Sequence, residues 1–157
     1  IGDALAVCLL DLRKFTKDDF AKYHPGGTLG KKLFLTVGVL SNQNQLPKVN
    51  PNSKIKDVII EISEKRLGFT AVIDKNKVIG VITDGDLRRM LSKTENISNL
   101  SAKDIMSTSP KTISTNAMAI EALKIMKANE ISQLIVEDEN KYAGVIHIHD
   151  LIREGII

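Results

Sequence analysis

Apolar positions in this chain follow two rhythms that alternate along its length. Ile55, Val58, Ile59 and Ile62 fall at i, i+3, i+4 and i+7, which predicts one face of a helix. "TAVID" and "VIGVIT" then switch to short apolar runs joined by the polar turn "KNK", which predicts two strands. Residues 84 to 92 return to helical character. The same order recurs downstream: Ile120, Leu123 and Met126 lie on a helix face, "LIVED" and "YAGVIH" read as strands, and a last helix closes the chain.

The recurrence is a true internal repeat. Sliding the sequence by 64 residues aligns the stretch from Asn50 with the stretch from Ser114 without a gap. Identical pairs include Val72 and Val136, Asp74 and Asp138, Asn76 and Asn140, and Gly80 and Gly144. Asp86 and Asp150, Leu87 and Leu151, and Arg89 and Arg153 extend the match into the closing helices. A β-α-β-β-α unit of this size cannot cover both faces of its sheet, so two such units are expected to pack face to face. The Ser- and Thr-rich stretch "NLSAKDIMSTSPKT" reads as the link between them.

Residues 1 to 36 lie outside the repeat. "GDALAVCLLDLRKF" predicts a helix of about four turns. Thr16, followed by Asp18 and Asp19, suits the start of a second helix, and "HPGG" ends it. The chain starts without Met, directly in an amphipathic run, and is expected to be a piece of a longer protein.

Composition narrows the classes. Apolar residues make up 43% of the 157 positions, enough for a sizeable core, while aromatics at 4% and the lack of Trp make that core aliphatic. The 22 basic residues nearly balance the 19 acidic ones, which argues against a nucleic-acid partner. A single cysteine, Cys8, precludes an internal disulfide framework and fits a reducing, cytoplasmic setting. No apolar run approaches the roughly 18–20 residues needed to span a bilayer, so no membrane partner is expected.

The candidate chemistry sits where each repeat's last strand meets its closing helix. In "GVITDGDLRR" a hydroxyl (Thr83), a carboxylate (Asp86) and the arginines Arg88 and Arg89 are clustered. A carboxylate accepts charge-assisted bonds from a vicinal diol, and arginines suit a phosphate. An Asp at this position also caps the helix, and both readings stand at this point. The second copy keeps Asp150 but has His147 in place of the Thr, with His149 two residues on. A metal held by the two imidazoles and Asp150 ranks below a ligand-lining or structural role, because the spacing supplies no third strong ligand.

The paired pattern, with its Gly-h-h-Thr-x-x-Asp exit, resembles a tandem cystathionine-β-synthase (CBS) domain pair over roughly residues 37 to 157. The fold implied is α/β (α+β): two β-α-β-β-α repeats packed as a pseudo-dimer, divided as 37–98 and 99–157. "GDALAV…DF…HPGGTLGKKL" is similar to the C-terminal end of the sugar isomerase (SIS) domain in the arabinose-5-phosphate isomerase family, where a CBS pair follows directly. That resemblance implies a SIS tail over residues 1–36. It also implies a parent enzyme that interconverts D-ribulose 5-phosphate and D-arabinose 5-phosphate for lipopolysaccharide synthesis. The family's active-site histidine falls on His24, which on physics alone is an exposed turn residue. With the rest of the catalytic residues absent, the chain by itself is expected to be inactive. The CBS resemblance further implies an adenosine nucleotide or CMP-sugar as regulatory ligand, bound through Thr83, Asp86, Arg88, His147 and Asp150. No cofactor is expected to be required. A homo-oligomer assembled through faces such as Ile55 to Ile62 is expected. A free-standing nucleotide sensor and a purely oligomerising module are the alternatives.

Overall fold

The computed structural model describes residues 2–23, 26–94 and 96–157. Three helices lead in: α1 (Gly2–Leu12), α2 (Lys17–Tyr23) and α3 (Thr28–Phe34). The remaining elements are α4 (Val37–Ser41), β1 (Lys48–Val49), α5 (Ile55–Lys65), β2 (Phe69–Asp74), β3 (Lys77–Thr83), α6 (Asp84–Lys93), α7 (Ala102–Ile105), β4 (Ser107–Thr108), β5 (Thr112–Ser114), α8 (Ala119–Asn129), β6 (Gln133–Asp138), β7 (Lys141–His147) and α9 (Ile148–Arg153). The predicted strands and closing helices are therefore present in both repeats. The start of α2 is set as its sequence suggests, with Asp19 and Thr16 exchanging hydrogen bonds of 2.8–3.2 Å. His24 lies outside the described residues.

Each repeat builds its own small sheet. One has the order β1-β2-β3-β4 and the other β5-β6-β7. The first two strands of each run parallel, joined by a crossover helix, and the next pair is an antiparallel hairpin. Lys75 and Asn76 turn the first hairpin at φ 46° and 65°, and Glu139 and Asn140 turn the second at 47° and 61°. This left-handed pair matches the twist of the strands it joins, which is why two residues suffice.

The strands are covered on both faces. Val72 and Ile82 join Ile55, Val58 and Ile62 of α5 and Met90 of α6 in one core. Val136 and Ile146 join Leu123 and Met126 of α8 and Leu151 of α9 in the other. The opposite faces meet each other: Phe69 and Ala71 pack against Ile135 and Val145, forming the seam between the units. The helix face from Ile55 to Ile62, expected from sequence as an assembly surface, is spent in this way. Ile55, Val58 and Ile62 are buried in their own unit, because a two-turn apolar stripe is needed to cover the sheet beside it.

The segments that lead into each unit cross over. α4, ahead of the first unit, buries Val37 and Leu40 in the core of the second. Its first N–H groups donate to the carbonyls of Ala117 and Thr115, at 2.8 and 2.9 Å. α7, ahead of the second unit, buries Ala102 in the core of the first, and its N–H groups reach Ser53 and Pro51, each at 2.9 Å. β4 then runs along β3 at Gly80, where any Cβ would lie 2.8 Å from Met106 Sδ and 2.9 Å from the Ser107 carbonyl. The link read from sequence as a Ser- and Thr-rich connector is thus a helix and strand built into the first unit.

Candidate functional site

The two strand-to-helix exits look alike in sequence and differ in what their carboxylates hold. Thr83 caps α6. Its N–H and hydroxyl donate to Asp86 Oδ2 at 2.9 and 2.6 Å, while Asp86 N–H returns a bond to the hydroxyl at 3.3 Å. Asp86 Oδ1 accepts from the Arg89 guanidinium and from the Ser107 hydroxyl, the latter at 3.3 Å. A carboxylate offers about four acceptor positions, and here all four are filled. Burial pushes the Asp86 carboxyl up, but Thr83 and Arg89 outweigh it and leave the group below the usual carboxylate range. Arg88 is exposed and stands away from this network.

At the second exit His147 caps α9, its Nδ1 accepting from His149 N–H at 3.1 Å. That leaves Nε2 to carry the ring proton in the neutral form. An imidazole used this way has no hydroxyl to give the carboxylate. Asp150 Oδ2 accepts instead from His147 N–H at 2.8 Å and from the Asn44 amide at 2.7 Å. Among the described residues, Oδ1 accepts only from Arg153, at 3.0 Å, and one acceptor position on Asp150 is without a partner. The His147 and His149 rings stack with centroids 4.7 Å apart. Burial and the neighbouring His149 push the His147 imidazole below its ordinary range, against the pull of Asp150.

Two recesses flank the seam. The larger, about 710 Å³, is lined from the second unit by Gln133, His147, His149, Asp150 and Arg153, and from the first by Arg66 and Asp84, with Asn44 at its edge. Gly68 forms part of its wall at φ +69°, where a Cβ would crowd Asp84 Oδ2 at 3.3 Å. The smaller, about 120 Å³, is apolar, with Phe69, Val81, Pro110, Ile131 and Ile135 around Thr83 and Lys111. Gln133 lines both. Of the residues expected from sequence, His147 and Asp150 share the larger recess, Thr83 lies at the smaller one, and Asp86 borders a separate shallow hollow with Arg89 and Lys93. Arg66, Asn44 and Gln133 were missed. The available signal was a mismatch between repeats, since Arg66 stands over Glu130 in the alignment by 64 residues.

The model of the CBS domain matches residues 42–93 and 102–156. The chain belongs to the CBS-domain family. Its CBS pair superposes on a CBS-domain crystal structure with TM-score 0.71 at 19% identity, covering 78% of this chain and 98% of that one. A CBS domain protein from Pyrobaculum aerophilum complexed with AMP gives TM-score 0.67 at 20% identity, over 74% of this chain and 90% of that one. Among curated proteins, the chain is 38% identical over 159 residues to the arabinose 5-phosphate isomerase KdsD of Yersinia pestis, covering 100% of the chain and 48% of that protein. The corresponding enzyme of Escherichia coli K12 is 40% identical, with the same coverage. The chain therefore spans about half the length of these relatives. Among the described residues, no three His, Cys, Asp or Glu side chains are grouped to hold a metal, and no helix is long and apolar enough to cross a membrane.

Proposed function

We propose that this CBS pair is the regulatory half of an arabinose 5-phosphate isomerase and that a nucleotide or sugar nucleotide is its effector. The observation that carries this is the reach of the similarity: it covers 100% of the chain, including the segment before the first CBS unit. In this reading residues 1–36 belong to the isomerase half. His24 moves a proton as aldose and ketose interconvert through an enediol, a task suited to a group that titrates near neutrality. The apolar recess beside Thr83 has the character of a base-binding slot, and the AMP complex of the Pyrobaculum aerophilum relative supports an adenosine ligand. A ribose hydroxyl there reaches Asp86 by displacing Arg89, whose side chain is solvent-exposed.

An effector works only by binding two states of the enzyme unequally. The structure offers a short route for such a difference. Asn44 binds both Asp150 and the Val145 carbonyl, and α4 lies just before it, seated on the second unit. α3 is tied to the same unit by Lys31 and Glu154, 2.9 Å apart.

The test is turnover of D-ribulose 5-phosphate by the full-length protein, with and without AMP or a CMP-sugar. At least one nucleotide should change kcat/KM, His24→Ala should abolish turnover, and the 157-residue chain alone should show none. Turnover by the chain alone, or full activity of His24→Ala, refutes the catalytic assignment. Indifference to every nucleotide refutes the regulatory one.

A further inference from the structure

The second unit grips α3 at two points, and one grip is ionic. Just past the helix, the Leu35 carbonyl accepts from the Ala119 N–H at the start of α8, at 2.8 Å. Within the helix, Lys31 Nζ lies 2.9 Å from Glu154 Oε2, just past the end of α9. Two attachments fix the direction of a seven-residue helix, where one would leave it free to pivot.

This ion pair is unlike the others. Of the four among the described residues, three join side chains on a single helix: Asp19–Lys22, Asp86–Arg89 and Asp150–Arg153. Lys31–Glu154 joins distant parts of the chain, and its side chains are only 33% and 24% exposed. Nor does the pair belong to the repeat. The alignment by 64 residues puts Glu154 over Met90, a buried core residue of the first unit. A half-exposed ion pair adds little to stability, because ordering two long side chains offsets most of the attraction. What it fixes is geometry.

That geometry reaches one hydrogen-bonded turn in each direction. Lys31 N–H donates to the carbonyl of Gly27, the residue that opens α3, at 2.9 Å. Gly27 stands three positions after His24 in the sequence. Gly26 and Gly27 permit more backbone conformations than other residues do, so the chain entering α3 takes its course from the helix. On the other side, Glu154 N–H donates to the Asp150 carbonyl at 3.2 Å, within the second strand-to-helix exit.

On the isomerase reading proposed above, we infer that Lys31 and Glu154 are positioning residues, whose ion pair holds the start of α3 in the register that proton transfer requires. Neither side chain touches substrate in this role; both act through α3. A small misplacement of a proton-moving group slows the chemical step far more than it weakens binding.

The test is turnover of D-ribulose 5-phosphate by the full-length protein carrying Lys31→Glu, Glu154→Lys or both. Each single reversal sets like charges against each other and should lower kcat about tenfold, with KM little changed. The double reversal rebuilds the pair with opposite polarity and should bring kcat back to within about twofold of the parent. Lys31→Met and Glu154→Gln remove the attraction without adding repulsion. Their kcat should fall between the parent and the single reversals, and they stand in if a reversal prevents folding. Melting midpoints are measured alongside. Parental kcat in every folded variant overturns the assignment, even if the midpoints move, because that is the mark of a merely structural pair. A double reversal as slow as the two singles combined overturns it too, as does a raised KM at unchanged kcat. A full-length parent without turnover, or one whose turnover survives His24→Ala, defeats the isomerase reading and the positioning role with it. That failure is distinguishable, since it shows before any charge is reversed.

Discussion

Thr70 is fully enclosed on β2, and its buried Oγ1 has no hydrogen-bond partner among the described residues. Its repeat counterpart is Leu134, equally buried and apolar. Enclosing an unpaired hydroxyl costs stability that an isosteric methyl does not, so Thr70→Val should raise stability by about 1 kcal/mol, read from the denaturation midpoint. A loss of that size would mean that Oγ1 has a partner in solution. His147 carries a second prediction at this scale. Its imidazole faces His149, Asp150, Arg153, Asp84 and Arg66 across the recess, and its folded affinity for a proton is depressed. The unfolded chain then binds that proton more readily. The stability it contributes is whole above the ordinary value near 6.5 and is lost as pH falls through and below it. His147→Thr restores the hydroxyl cap of the first repeat and removes the titrating ring. Its unfolding free energy should fall less between about pH 8 and about pH 5.5 than that of the parent. Equal slopes would exclude His147 as the source.

At the scale of elements, much was legible because the code is local. Period-3.6 stripes, strand runs and turn residues repeat at a fixed offset, and both hairpins turn on Asn at left-handed φ. The capping alternative at Thr83 was legible too, since a hydroxyl three residues before a carboxylate is a local pattern. What escaped was the fate of α4 and α7. Helices of five and four residues show too few apolar positions for a period, and nothing local says which core receives them. Arg66 escaped for a related reason: a cation at the end of a helix reads as solvated until the fold sets it opposite the other repeat's exit. The docking of α4 is testable by truncation of its buried anchor. Leu40→Ala removes a side chain with no exposure from the second unit's core and should cost about 2–5 kcal/mol. Amide exchange should quicken in α8 and β6 before it does in α5 and β2. Uniform quickening would mean that the two cores open together.

At the scale of the molecule, the seam holds two sheets together by few polar links. Tyr142, on β7 of the second unit, donates its hydroxyl to the Pro47 carbonyl just ahead of β1, at 3.0 Å. Burial, with some help from Glu61, pushes that phenol well above its ordinary range, so it remains a donor throughout the range in which the protein functions. Tyr142→Phe keeps the ring in the seam and leaves the carbonyl only its bond from the Ala71 N–H, at 3.2 Å. It should cost about 1 kcal/mol, with no dependence on pH between about 5 and 9. A neutral effect would show that the Ala71 N–H, or water in the hydroxyl's place, satisfies the carbonyl.

The exchange of α4 and α7 has a consequence for how the gene can be cut. A chain ending between the repeats keeps the lid of the missing half and loses its own: Ala102 would no longer cover Val49 and Ile55, while Val37 and Leu40 would be left facing water. Two such halves, expressed as separate polypeptides, therefore carry complementary debts, and each can settle only on the other. The split protein should reassemble when its halves are mixed, and fluorescent reporters fused to them would read out whatever loosens or tightens the seam.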